Sequence, residues 1–359
     1  MDEVKLFSIP DITFDNPPEF REYLVENYDS SQVDHDLTII VGITKHNKID
    51  FFEALQSFGF TTVRNLGSVS HIKFDLDEAP LECYVTHDAD TGVVIFYTNY
   101  RKTKKKEIPK IRDFLSSDVN TYYLFFKPSL MREIAEDLID DYENLEITEF
   151  TARRLPNSHF KSHIRPNYDR TITYWGDDGR DALQELEYQY GVLPSRFVVH
   201  IPETIKFVID DEGLFTFATG NLNILFDILE KSVNESRKTM TAYDGSDFKV
   251  LPVKTAGRSF DIPSSTPVSI QLNEPIEFHG MGEFKAKLNK DYTIVDFIAQ
   301  EGSLFLSSDL VSKSGFQFRI KADENHIKMF PDGKMIFSEF MKFYEFIIKL
   351  IDPRAEFLI

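Results

Sequence analysis

Residues 205–228, IKFVIDDEGLFTFATGNLNILFDI, constrain the fold of this chain more than any other stretch. An apolar run from Ile205 to Ile209 meets a polar turn ending in Gly213. A second, alternating run closes on Phe217, and apolar residues continue at helical spacing from Leu222. A tight hairpin reverses at a residue of positive φ, which glycine adopts without steric cost. The returning strand then needs an aromatic on its buried face, and an amphipathic helix directly behind it has to cover that face. Antiparallel sheet with helices laid on it is the expected outcome. The same grammar recurs, since Gly92 and Gly333 also stand four residues before a phenylalanine, Phe96 and Phe337, in strands expected to lead into helices.

The recurrence extends to whole units. Asp36 opens DLTIIVG, which predicts a strand over 37–41, and KIDFFEALQSF predicts a helix over 48–58 ended by Gly59. Strands over 61–65, 68–75, 81–86 and 93–98 and a helix over 107–116 complete the order β-α-β-β-β-β-α. Asp169 opens DRTITYWG, and a strand (170–175), a helix (178–190, ended by Gly191), strands over 196–201 and 205–209, the hairpin and a helix (222–233) repeat the unit with one strand fewer. A strand over 122–126, a helix over 129–142 and a strand over 146–151 lie between the two. From Arg237 the texture is β, with strands expected at 239–243, 268–272, 284–288, 293–299, 303–306, 316–321, 326–330 and 335–338, and a closing helix over 339–350.

The fold class is therefore α+β: tandem antiparallel-sheet units followed by a mainly β C-terminal domain closed by a helix. The unit's topology resembles that of TATA-binding-protein-like folds. That is an analogy of fold alone and carries no DNA binding with it. The expected division is an acidic N-terminal arm (1–35, with a short helix over 19–27), a first α+β domain (36–152), a basic linker (153–168), a second α+β unit (169–235) and the C-terminal domain (236–359).

Forty basic against 59 acidic side chains give a net charge of −19. Such a surface repels phosphate, so any affinity for nucleic acid has to be local. The single cysteine, Cys83, excludes an intrachain disulfide and a thiolate zinc cluster. The acidic start MDEVKLFSIPDITF predicts no secretory leader, and no apolar run reaches the roughly 18–20 residues that span a bilayer. A cytoplasmic protein without membrane attachment is expected; the sequence leaves its oligomeric state open.

Two segments depart from the acidic background. Arg101, Lys102, Lys104, Lys105 and Lys106 precede a helix, where basic charge opposes the macrodipole but could join free N–H groups in holding a phosphate. Arg153, Arg154, His159, Lys161, His163, Arg165 and Arg170, with Phe160 and Tyr168 interleaved, form a mixture suited to phosphate contact and base stacking. His159 and His163 have the spacing of helical metal ligands, yet Pro156 and Pro166 bracket them and no HExxH glutamate lies between. Asp178 is expected as a helix N-cap, and the acid pairs at 136–137, 140–141 and 210–211 as solvated residues. There is no Walker loop, GxGxxG or GxSxG.

The reading is a non-enzymatic binding protein that uses the two basic segments to engage nucleic acid or another phosphate-bearing ligand, with no cofactor and no bound metal. A protein-interaction or regulatory scaffold using the acidic surface is the alternative. A phosphodiesterase or metal-dependent hydrolase centred on His159, His163, Asp177 and Asp178 is the third reading.

Overall fold

The structure is a computed structural model that describes residues 9–28, 36–76, 80–100, 107–154, 164, 170–255, 258–273, 275, 281–300 and 305–358. These residues form eight helices and nineteen strands in antiparallel sheets. They fall into two compact units that divide between Ser236 and Arg237.

The first unit contains, in order, α1 (Pro17–Asn27), β1 (Asp36–Thr44), α2 (Lys48–Phe58), β2 (Phe60–Leu66), β3 (Val69–Phe74), β4 (Leu81–Asp88), β5 (Val93–Tyr100), α3 (Glu107–Ser117), β6 (Thr121–Tyr123), α4 (Pro128–Asp141), β7 (Glu146–Arg154), β8 (Arg170–Trp175), α5 (Gly179–Tyr190), β9 (Leu193–Ile201), β10 (Ile205–Asp210) and β11 (Leu214–Gly220). α6 (Leu222–Asp244) follows, and the division falls inside it. One sheet runs β2-β3-β4-β5-β1-β11-β10-β9-β7-β8, with β6 also paired to β1. The segments 36–100 and 146–220 thus share a single sheet, joined where Ile39 faces Phe215.

The expected turns form for the expected reason. Gly213 has φ +70°, and a Cβ there would stand 2.4 Å from the Leu124 carbonyl oxygen. Its own carbonyl accepts from Val41 N–H at 3.0 Å, so the turn is stitched against β1. α2 starts at Asn47, whose side chain accepts from Asp50 N–H, and ends at Gly59 with φ 113°. α6 runs eleven residues beyond the expected end at Val233 and absorbs the strand expected at 239–243. Its buried positions include Ser232, Ser236 and Thr239, and the Ser232 hydroxyl bonds back to the Ile228 carbonyl. Polar residues on the buried stripe hid its helical period.

Helices cover this sheet unevenly. On one face of strands β1 to β5, Ile40, Ile72, Cys83, Val85 and Phe96 pack against Phe51 and Leu55 of α2 and Ile111, Phe114 and Leu115 of α3. The opposite face is closed by the N-terminal arm. Phe14 bridges to Gly67, and Phe20 of α1 places its ring 5.7 Å from Tyr84 and 5.1 Å from Tyr97. On that same side of β7 to β11, Phe150, Phe197, Phe207, Phe215 and Phe217 are buried. There Phe126, just ahead of α4, meets Phe215; Gly179 of α5 backs onto Ile147; and Lys231 of α6 bonds Asp137 of α4. The other side of β7 to β11 carries no helix among the described residues.

The second unit holds β12 (Asp247–Thr255) and β13 (Arg258–Thr266), paired as a ribbon, then β14 (Val268–Gln271), α7 (Met281–Asp291), β15 (Tyr292–Gln300), β16 (Phe305–Ser312), β17 (Gln317–Ala322), β18 (His326–Pro331), α8 (Phe337–Leu350) and β19 (Glu356–Phe357). Its sheet order is β15-β16-β17-β18-β14-β19. Two expectations change here. Residues 284–288 form helix α7 because Phe284 and Leu288, both buried, lie one helical turn apart. Residues 335–338 are no strand: Phe337 opens α8, so the motif seen at Gly92 and Gly213 does not extend to Gly333. A larger repeat takes its place. β14-α7-β15-β16-β17-β18-α8 has the same element order and strand order as β1-α2-β2-β3-β4-β5-α3.

Candidate functional site

The two basic segments are rooted at opposite ends of the first sheet. β5 and β7 run antiparallel through the intervening pairings, so Tyr100, where the first segment begins, and Arg154, inside the second, mark opposite strand ends. Five strand spacings add roughly 24 Å of lateral separation. Arg101, Lys102, Lys104, Lys105 and Lys106 lie outside the described residues, as do His159, Lys161, His163 and Arg165.

The three described arginines have structural partners. Arg154 is buried and donates to the Tyr190 carbonyl at 2.8 Å. Arg170, opposite it on β8, lies over the Tyr190 ring at 4.8 Å and donates to the Ile164 carbonyl. Arg153 alternates to the helix-free face, half-exposed, 3.6 Å from Asp211. Asp178 occupies the N-cap position of α5, but its carboxylate accepts from the Tyr174 hydroxyl in place of a backbone N–H. That hydrogen bond raises the Tyr174 pKa above its ordinary value.

The helix-free face of β7 to β11 is polar and electrically balanced. Arg196 pairs with Glu149, His200 with Glu146 at 2.9 Å, and Arg112 of α3 reaches Asp210 at 3.2 Å and Glu212 at 2.6 Å. Asp210 was expected to be solvated. It instead accepts from the Glu212 and Leu214 N–H groups and anchors the turn to α3. Burial raises its pKa even though Arg112 pulls the other way. Thr171, Thr173 and Trp175 line the outer edge of this face on β8, and Trp175, the sole tryptophan, is 69% exposed.

The helix-free face of the second unit differs in charge. Along β16, β17 and β18 the buried residues Leu310, Phe318, Ile320 and Met329 alternate with outward-facing Asp309, Arg319, Lys321 and Phe330. A groove of about 510 Å3 opens there between the ribbon root, Phe248 and Ser265, and Val295 of β15. Arg319 holds Asp309 through two hydrogen bonds, 2.6 and 3.0 Å. Lys321 lies over the Phe330 ring at 5.2 Å and sits directly opposite Lys328. Like charges facing across a strand pair are unfavourable, and neither lysine has an ion-pair partner among the described residues. This row escaped the sequence reading, although the two-residue turn Glu324–Asn325 fixes the pairing of Lys321 with Lys328.

Two buried histidines complete the inventory. His71 bonds Glu82 at 3.0 Å and His87 bonds the His46 carbonyl at 3.0 Å; burial holds both below the ordinary imidazole range. His46 in turn faces Asp118 at 2.9 Å. Cys83 is fully buried, and burial pushes its thiol pKa up. Among the described residues no three of His, Cys, Asp and Glu converge as a metal site, and no helix is long and apolar enough to cross a membrane.

A family model, AF_0896_M, described as a family middle domain, matches residues 129–212, from α4 to the turn after β10. An uncharacterized protein of Archaeoglobus fulgidus is 24% identical over 357 residues, covering 95% of each chain. The likeness therefore extends across both units.

Proposed function

We propose that this chain is a non-enzymatic binding protein, a scaffold that engages a protein partner through sheet faces its own helices leave open. The observation that carries the reading is the uneven cover of the first sheet: among the described residues, helices lie on both sides of β1 to β5 and on one side only of β7 to β11. An antiparallel sheet tolerates one solvated face, but this one presents Trp175 at its rim beside a row of threonines. Exposed tryptophan is enriched where proteins meet. The paired charges favour protein over nucleic acid, because phosphate binding draws on uncompensated lysine and arginine.

The second reading is nucleic acid or another phosphate-bearing ligand held by 101–106 and 153–170. Half-exposed Arg153, at the start of the second segment and on the open face, favours it. One experiment separates the two. Partners captured by the full chain from a nuclease-treated extract of the native cell are purified and titrated while Trp175 emission is followed. The scaffold reading expects a saturable blue shift. Emission that no protein alters, with filter retention of DNA or RNA that weakens steeply as salt rises, transfers the function to the second reading.

A further inference from the structure

The open groove of the second unit has a counterpart in the first whose occupant is visible. β1-α2-β2-β3-β4-β5-α3 and β14-α7-β15-β16-β17-β18-α8 share element order and strand order. In both, parallel outer strands are joined by a crossover helix, whose right-handed path puts the helices on corresponding sides. In the first unit the segment preceding β1 closes the other side: Phe14 and α1 lie across it, and Phe20 enters between Tyr84 and Tyr97. In the second unit the segment preceding β14 is the ribbon. Among the described residues lining the groove, it contributes Phe248 and Ser265, and the groove stays open.

Both floors are polar and aromatic. His71, Tyr84, Tyr97 and Asn99 lie beneath α1, while Asp309, Arg319, Lys321, Phe330 and Asp332 line the groove, and Lys328 stands beside it, paired across the strands with Lys321. Their charge differs in the direction that a partner would exploit. Residues 237–359 carry acidic and basic side chains in nearly equal number, so the chain's excess acid sits in the first unit. An anionic partner is repelled least by the second unit and meets there the Lys321–Lys328 pair, which has no ion-pair partner among the described residues; of the groove's own acids, Asp309 is held by Arg319. The element that fills the equivalent place in the first unit is itself acidic and aromatic: PPEFREYLVEN, with Glu19, Glu22 and Glu26 around Phe20 and Tyr23.

We propose that the groove docks a short acidic segment of another protein, of the same chemistry as α1. An aromatic side chain enters beside Phe330 and Phe248, and carboxylates meet Lys321 and Lys328. This rests on the scaffold reading and assigns that scaffold a second docking place.

The test uses the full chain and a fluorescent peptide of residues 13–28, with anisotropy read at low salt. Saturable binding is expected. It should weaken about tenfold when Lys321→Gln and Lys328→Gln are combined, and severalfold for Val295→Asp at the groove wall. It should weaken also for a peptide carrying Phe20→Ala, and for every peptide as salt rises. Both lysines are exposed, so an unchanged thermal transition checks that the variant is folded. Absence of saturable binding overturns the proposal. Binding indifferent to the glutamines also overturns it, because the peptide then competes with α1 at the first unit. An oligonucleotide that binds through the same lysines while the peptide does not overturns it in favour of phosphate. A partner whose capture survives the double variant leaves the scaffold reading standing and removes only this site.

Discussion

Phe20→Ala isolates the contribution of the N-terminal arm. The ring is fully buried and stands 5.2, 5.7 and 5.1 Å from Phe14, Tyr84 and Tyr97. Truncation to a methyl removes roughly 120 Å2 of apolar burial, about 3 kcal/mol at ~25 cal/mol per Å2. Loss of the edge-to-face geometry adds about 1 kcal/mol, which places the total near 4 kcal/mol, within the span of buried phenylalanine truncations. A ceiling applies, because α1 can detach while the sheet persists, so the first unit's unfolding free energy falls by at most the docking free energy of the arm. Urea unfolding of the first unit measures the loss. Hydrogen exchange at Tyr84, Tyr97 and their neighbours tells detachment from global weakening, since a freed arm exposes β4 and β5 before α2 and α3. A loss below about 1 kcal/mol with unchanged protection of β4 would refute the account of Phe20 as the plug of that face.

Further consequences follow from single positions. Gly213→Ala is expected to cost at least 2 kcal/mol or so, because φ is +70° and the new Cβ meets the Leu124 carbonyl at 2.4 Å; Gly315→Ala, with φ +86° and open space, costs only about 1 kcal/mol. Equal urea midpoints for the two variants contradict this. Asn99→Leu is expected to stabilise by about 1 kcal/mol, since both amide atoms of Asn99 are buried with no hydrogen-bond partner among the described residues; a lower thermal midpoint rejects it. Burial holds the folded pKa values of His71 and His87 below the ordinary imidazole value of about 6.5, so the unfolded chain binds more protons there. Their stabilising contribution is complete above pH 6.5 and is lost as pH falls below it towards the folded values. Replacing His87 with Asn should flatten that acid slope in urea midpoints; an unchanged slope removes His87 as a contributor.

The pattern rules read the local elements well because local chemistry sets them. The 48–58 helix with its Gly59 end, the hairpin at Gly213 and the strand–helix alternation from Asp36 all lie within one turn or one period of the residues that cause them. Errors arose where tertiary context outweighed propensity. Ser232, Ser236 and Thr239 read as a helix end and a strand, yet they line the buried side of one long helix. Phe284 and Leu288 read as alternation inside a β-rich tail, yet they face one core from α7. The candidate site was legible only in part. Net charge drew attention to clustered base, and Arg154 and Arg170 prove to hold α5 to the β7–β8 pair through Tyr190. The lysine pair of the second unit has no cluster in sequence; cross-strand register brings it together.

The same topology built twice in one chain makes the differences between the copies informative. Helices, strand order and a polar-aromatic floor are shared, so none of them distinguishes one copy from the other. What differs is the segment that precedes the first strand. An arm whose Phe20 is driven into the floor leaves the first copy closed, with its polar groups partnered within the chain: Arg64 on Tyr84 and Asp11, and His71 on Glu82. In the second copy the ribbon lines the groove at its root, and Lys321 and Lys328 face each other with no ion-pair partner among the described residues. Hydrophobic burial explains the first arrangement completely, since Phe14, Phe20 and Leu24 all vanish from solvent. It does not account for the second, where exposed Lys321 and Lys328 face each other at a small, solvent-screened cost that a docked anion would lower. The closed copy is filled by its own chain, and the open copy is the one to which the docking proposal applies.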